Sequence, residues 1–164
     1  MDKAPYAVKK ALKESMEAHN GHLARIQATL GSGPIKFEFD FESLSAFLTG
    51  TMGQALERFG PIFYEDYFNE IANGLQSKVE SDAMMPALVC AMMPKNVIRI
   101  LIGGAKKPDD HPYHEINFSD GEMHVHIIQW ANLYAIVDTM AETLIENVRD
   151  LPAVCNAHFL HHHC

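Results

Sequence analysis

The sequence predicts an α+β protein built as a two-layer sandwich, in which a mainly antiparallel sheet of three to five strands has one face covered by about four amphipathic helices. Three observations carry that prediction. Residues 35–41, Ile-Lys-Phe-Glu-Phe-Asp-Phe, alternate strictly between apolar and ionisable side chains, the period of a strand with one buried face. Residues 113–127 form two such runs around Asp120-Gly121, a dipeptide that accepts the positive φ angles of a type I′ hairpin turn. Four further segments carry apolar residues at three- and four-residue steps, and they do not alternate regularly with strands as a parallel nucleotide-binding sheet requires.

Taken in order, residues 5–30 carry a helical stripe of Val8, Ala11, Leu12, Met16, His19, Leu23, Ile26 and Leu30. Pro5 suits the first turn, Gly21 weakens the middle, and Gly31-Ser32-Gly33-Pro34 ends the helix. After the strand at 35–41, Ser43 is placed to cap a helix whose stripe is Leu44, Phe47, Leu48, Met52, Ala55, Leu56 and Phe59. Gly60-Pro61 stops it, and a third helix shows Tyr64, Phe68, Ile71 and Leu75 on one face. Residues 84–93 are apolar without a period, and Pro86 argues against a helix running through them. They read as a short buried strand at 87–92, turning through Pro94-Lys95-Asn96 into a second strand at 97–102. A polar loop at 103–112 precedes the hairpin, and a last helix at 129–148 buries Trp130, Leu133, Ile136, Val137, Met140, Leu144 and Val148.

No linker or repeat divides the chain, so residues 1–152 read as a single domain and 153–164 as a His/Cys-rich C-terminal tail. At 164 residues such a domain buries roughly two thirds of the surface of its unfolded chain and needs no covalent staple. The three cysteines, Cys90, Cys155 and Cys164, are an odd and widely spaced set that fits a reducing compartment. With no apolar run of membrane-spanning length and no signal-peptide pattern at Met1, the expectation is a cytoplasmic protein with no membrane partner. The net charge of −8 works against nucleic acid, because phosphate binding draws on Lys and Arg. The basic group Lys3, Lys9, Lys10 and Lys13 is followed at once by Glu14 and Glu17 and reads as a solvated helix face.

A two-residue turn at Asp120-Gly121 fixes the hairpin register: Ser119 opposite Glu122, Phe118 opposite Met123, Asn117 opposite His124, Ile116 opposite Val125 and Glu115 opposite His126. Ile116, Phe118, Met123, Val125 and Ile127 then share the core face with His114. Glu115, Asn117, Ser119, Glu122, His124 and His126 share the other. Two imidazoles two residues apart with a carboxylate across the ladder are a donor set for zinc or another transition metal, with His111 just upstream. Solvent exposure of one sheet face accounts for the same alternation. The tail adds Cys155, His158, His161 and Cys164, whose spacing matches no standard zinc module and which also fits an ordinary polar terminus or a cloning remnant. Met84, Met85, Met92 and Met93 around Cys90 read as core packing. Nucleophile-elbow, phosphate-loop, dinucleotide and zincin motifs are absent.

These features predict a small acidic protein-binding or assembly module without catalytic activity and without a cofactor, of the broad type of phage or bacterial structural, inhibitor and immunity proteins. It would work through another protein chain or by self-association. The alternative is a metal-binding protein or metal-dependent enzyme built on Glu115, His124 and His126.

Overall fold

A computed structural model describes residues 5–103 and 113–128, together with Ile136, Thr139 and Thr143. Among these residues the chain is α+β, with five α-helices and a four-stranded mixed sheet that does not close. The first helical region is two helices, α1 (Tyr6–Glu14) and α2 (Met16–Leu30), rather than one. The break falls at Ser15 and not at Gly21, which lies within α2. Its cause is tertiary: Ser15 is 2% exposed and its hydroxyl donates to Glu65 Oε1 at 2.6 Å. A Cβ on Gly60 would stand 2.7 Å from both Ala11 O and Ser15 Oγ, so glycine is what lets the following helical segment approach this corner. Lys10 and Glu14 pair along the exposed side of α1 at 3.7 Å.

Strand β1 (Lys36–Phe39) leads into α3 (Phe41–Ala46). The cap is Asp40 rather than Ser43: its carboxylate accepts from the backbone of Glu42 and Ser43, and the Ser43 hydroxyl donates to it as well. That arrangement holds the Asp40 carboxyl below the usual carboxylate range. The long helix expected over 43–59 is broken into a π-helical turn (Phe47–Thr51) and a 3₁₀ turn (Leu56–Arg58). Gly60-Pro61, expected to stop a helix, begins the π-helical segment Gly60–Tyr67 that runs on into α4 (Phe68–Ser81).

Residues 85–92 are a helix, α5 (Met85–Met92), and not the expected strand. Pro86 sits in its first turn, where a missing N–H costs nothing, and Met85, Leu88, Val89 and Cys90 are buried on it. Strands β2 (Val97–Ile102), β3 (His114–Ser119) and β4 (Glu122–Ile127) complete a sheet of order β1-β2-β4-β3.

The sheet is not mainly antiparallel, as two of its three pairings are parallel: β1 with β2 and β2 with β4. Removing a strand at 87–92 removes the reversal that would have made β2 antiparallel to its predecessor. The chain crosses from β1 to β2 through helices, which is what a parallel pair needs. The hairpin then places its second strand, not its first, beside β2.

Phe37, Ile98, Ile100, Ile116, Met123, Val125 and Ile127 form one core with Val8 and Leu12 of α1, Ile26 of α2, Phe68 and Leu75 of α4, and Val89 of α5. Phe37 stacks on Phe68 with ring centres 3.8 Å apart. The helix expected over 129–148 lies largely outside the described residues. Ile136, Thr139 and Thr143 are helical, Ile136 is fully buried, and the Thr143 hydroxyl donates to Ile116 O at 3.2 Å.

Candidate functional site

The hairpin folds in the register its turn dipeptide predicts, from Ser119 opposite Glu122 to Glu115 opposite His126, with His114 opposite Ile127. Asp120 and Gly121 both have positive φ, 54° and 74°. Because side chains alternate, the face away from the helices carries three rows across the sheet. The first is Lys36, Val97, Glu122 and Ser119; the second is Glu38, Arg99, His124 and Asn117; the third is Leu101, His126 and Glu115.

Charges on this outer face form a ladder. Arg99, the one charged residue of β2, donates from Nε to Glu122 Oε2 at 2.8 Å and reaches Glu38 Oε2 from its other end, also at 2.8 Å. Lys95, carried by the turn before β2, donates to Glu122 Oε1 at 3.2 Å, and His124 Nε2 lies 3.6 Å from Glu122 Oε2. That turn is held against the hairpin by a backbone bond from Lys95 N to Gly121 O. Hydrogen bonding from Arg99, reinforced by Lys95, holds the Glu122 carboxyl down to about 2, and Arg99 is raised in return.

The two outer-face histidines are treated differently. His126 Nδ1 lies 2.8 Å from Gly103 O, which can only accept, so Nδ1 donates; Nε2 is then left to accept from Asn117 Nδ2 at 3.3 Å. Both ring nitrogens of His126 are engaged. The ring of His124 stands edge-on to it, with centres 6.1 Å apart. Of the metal donors read from the sequence, the structure brings Glu115, His124 and His126 onto one face. Among the described residues no group of three or more His, Cys, Asp or Glu side chains is close enough to hold one ion. His111, Cys155, His158, His161 and Cys164 lie outside the described residues.

On the core face, His114 is sealed at 2% exposure, and its Nε2 shares a short hydrogen bond with the hydroxyl of fully buried Tyr67. Its Nδ1 has no hydrogen-bond partner among the described residues. Burial lowers the imidazole to about 4, and burial also pushes the Tyr67 phenol well above its ordinary value, so both groups are neutral near pH 7.

Residue-type reading found the two hairpin histidines and their shared face. It missed Arg99, Glu38 and Lys95, although an arginine inside the apolar run Val-Ile-Arg-Ile-Leu-Ile was the available signal. It also missed Tyr67 as the partner of His114. Comparison with protein-family models, curated proteins and solved structures finds no match to this chain.

Proposed function

We propose that this chain is a small acidic, cytoplasmic protein-binding or assembly module, a two-layer sandwich that presents the outer face of its sheet to another protein chain. The observation that supports this reading best is the paired state of that face. Glu38, Arg99, Glu122 and Lys95 neutralise one another, and the nitrogens of His126 are occupied. A face so arranged offers fixed donors, acceptors and alternating charge, which favours recognition, whereas general acid–base chemistry needs a group free to take or give a proton.

A photo-crosslinking residue placed at Asn117, on the outer face, and in a second chain at Ser77, on the exposed side of α4, tests this in extract from the source cell. A discrete adduct from position 117 that Arg99→Ala weakens is the expected result. Crosslinking from position 77 alone, or from neither, removes the outer face as the contact surface.

The register favours one rival reading, a metal-dependent protein using zinc or another transition metal, because it sets Glu115 opposite His126 and His124 two residues away. For His126 to ligate, it would have to release either Asn117 or Gly103 O. Elemental analysis separates the two readings. Stoichiometric metal that is lost in a His124→Ala, His126→Ala double variant establishes the rival, and metal-free protein of unchanged stability removes it.

A further inference from the structure

We infer that two copies of this chain pair through the free edge of β1, antiparallel about a twofold axis at Phe37, and so join their sheets into one. This holds whichever chain the outer face contacts. The two edges of the sheet differ. At the β3 edge the Thr143 hydroxyl already covers Ile116 O, whereas among the described residues nothing pairs with the outer side of β1.

The direction of the backbone groups follows from one bond: Lys36 N donates to Asn96 O at 2.9 Å. Lys36 and Glu38 therefore turn their backbone groups toward β2, and Phe37 and Phe39, one residue out of step, turn theirs to the open edge. Both phenylalanines are only half-buried.

Parity then restricts the pairing. Residues directly opposite in an antiparallel pair must lie on the same face, and of the registers this permits the two that overlap three residues of β1 place Phe37 opposite Phe37 of the second copy, or Glu38 opposite Glu38. The second sets like charges against each other. The first lets the two Phe37 residues exchange N–H···O bonds on the axis and places Lys36 opposite Glu38 of the other copy, twice by symmetry. Glu38 already holds Arg99, so the alternating ladder Lys95, Glu122, Arg99, Glu38 continues into Lys36 of the second copy without a break in sign. A partner of this chain's own sequence is the occupant whose charges complete that series. The short strand and the charged residues on it also disfavour indiscriminate strand addition.

Sedimentation velocity over a concentration series tests this, with circular dichroism to confirm that each chain is folded. The full chain is expected to be a dimer in the high-micromolar range. Lys36→Glu alone and Glu38→Lys alone each set like charges across the axis and weaken association at least about tenfold. Mixed together, the two variants restore both opposite-charge pairs and form a heterodimer. Zero-length carbodiimide coupling of unaltered chain, half of it isotopically labelled, gives a Lys36–Glu38 link between labelled and unlabelled copies and needs no substitution. A monomeric wild type, single variants that associate as the wild type does, or a mixture that stays monomeric overturns the inference.

Discussion

His114 and Glu122 stand at opposite ends of one hairpin, on opposite faces of it, and each is nearly sealed from solvent at 2% and 8% exposure. The fold meets these two ionisable groups in opposite ways. Under the helices, His114 has a neutral phenol for its partner, and burial holds the imidazole uncharged. On the outer face, Glu122 has two cations, and it stays charged far into acid. The difference teaches how the sheet divides its work: one face excludes charge and carries stability, while the other keeps charge and pairs it.

The comparison predicts unequal penalties for truncation on the two faces. Tyr67→Ala empties a fully buried ring site and strips His114 of its hydrogen bond, and it should cost about 3–5 kcal/mol in urea unfolding. His124→Ala, on the face turned away from the helices, should cost no more than about 1 kcal/mol. Equal losses would mean that the outer face is as much a part of the core as the inner one.

Acid sharpens the contrast. His114 is lowered to about 4 from an ordinary 6.5, so the unfolded chain takes up its proton first. Its stabilising contribution is whole above pH 6.5 and is lost as pH falls from there toward 4, by roughly 3 kcal/mol in total at about 1.4 kcal/mol for each pH unit. His19 and His22, both also lowered mainly by burial, act in the same direction. His114→Gln should therefore flatten most, though not all, of the stability loss between pH 6.5 and 4. An unaltered profile would show that His114 already takes a proton in the folded state.

Local rules reached this hairpin because Asp120-Gly121 and side-chain parity leave it one register, and a one-residue slip would bury Glu115 and expose Ile116. They reached β1 for the same reason. They failed at residues 85–92, where an apolar run with no period left only Pro86 to decide, and a proline that begins a helix looks like one that forbids it. They failed at Ser15, because the break there is imposed by Gly60 and Glu65, some 45 to 50 residues away in the chain. Strand order was equally out of reach, since it depends on a crossover through several helices. The candidate site shared that fate: its histidines could be placed on one face, but Arg99, Glu38 and Gly103 join them only once β2 is known to lie beside β4.

The effect most open to screening belongs to Glu122, and salt distinguishes it from the others. Its carboxyl is held at about 2 against an ordinary 4.5, first by the Arg99 hydrogen bond and then by Lys95. Its contribution is thus present above pH 4.5 and fades as pH falls toward 2, a window that lies below that of His114. Glu122→Gln should remove this second acid step while leaving the first intact. Raising the salt should shrink the second step and not the first, because Lys95 and Glu38 are open to an ionic atmosphere whose screening length is about 8 Å at 0.15 M, whereas the inner step arises from desolvating an imidazole among apolar side chains. If both steps respond to salt alike, His114 is exchanging with solvent, and the division of the sheet into a charge-excluding and a charge-pairing face fails at the inner one.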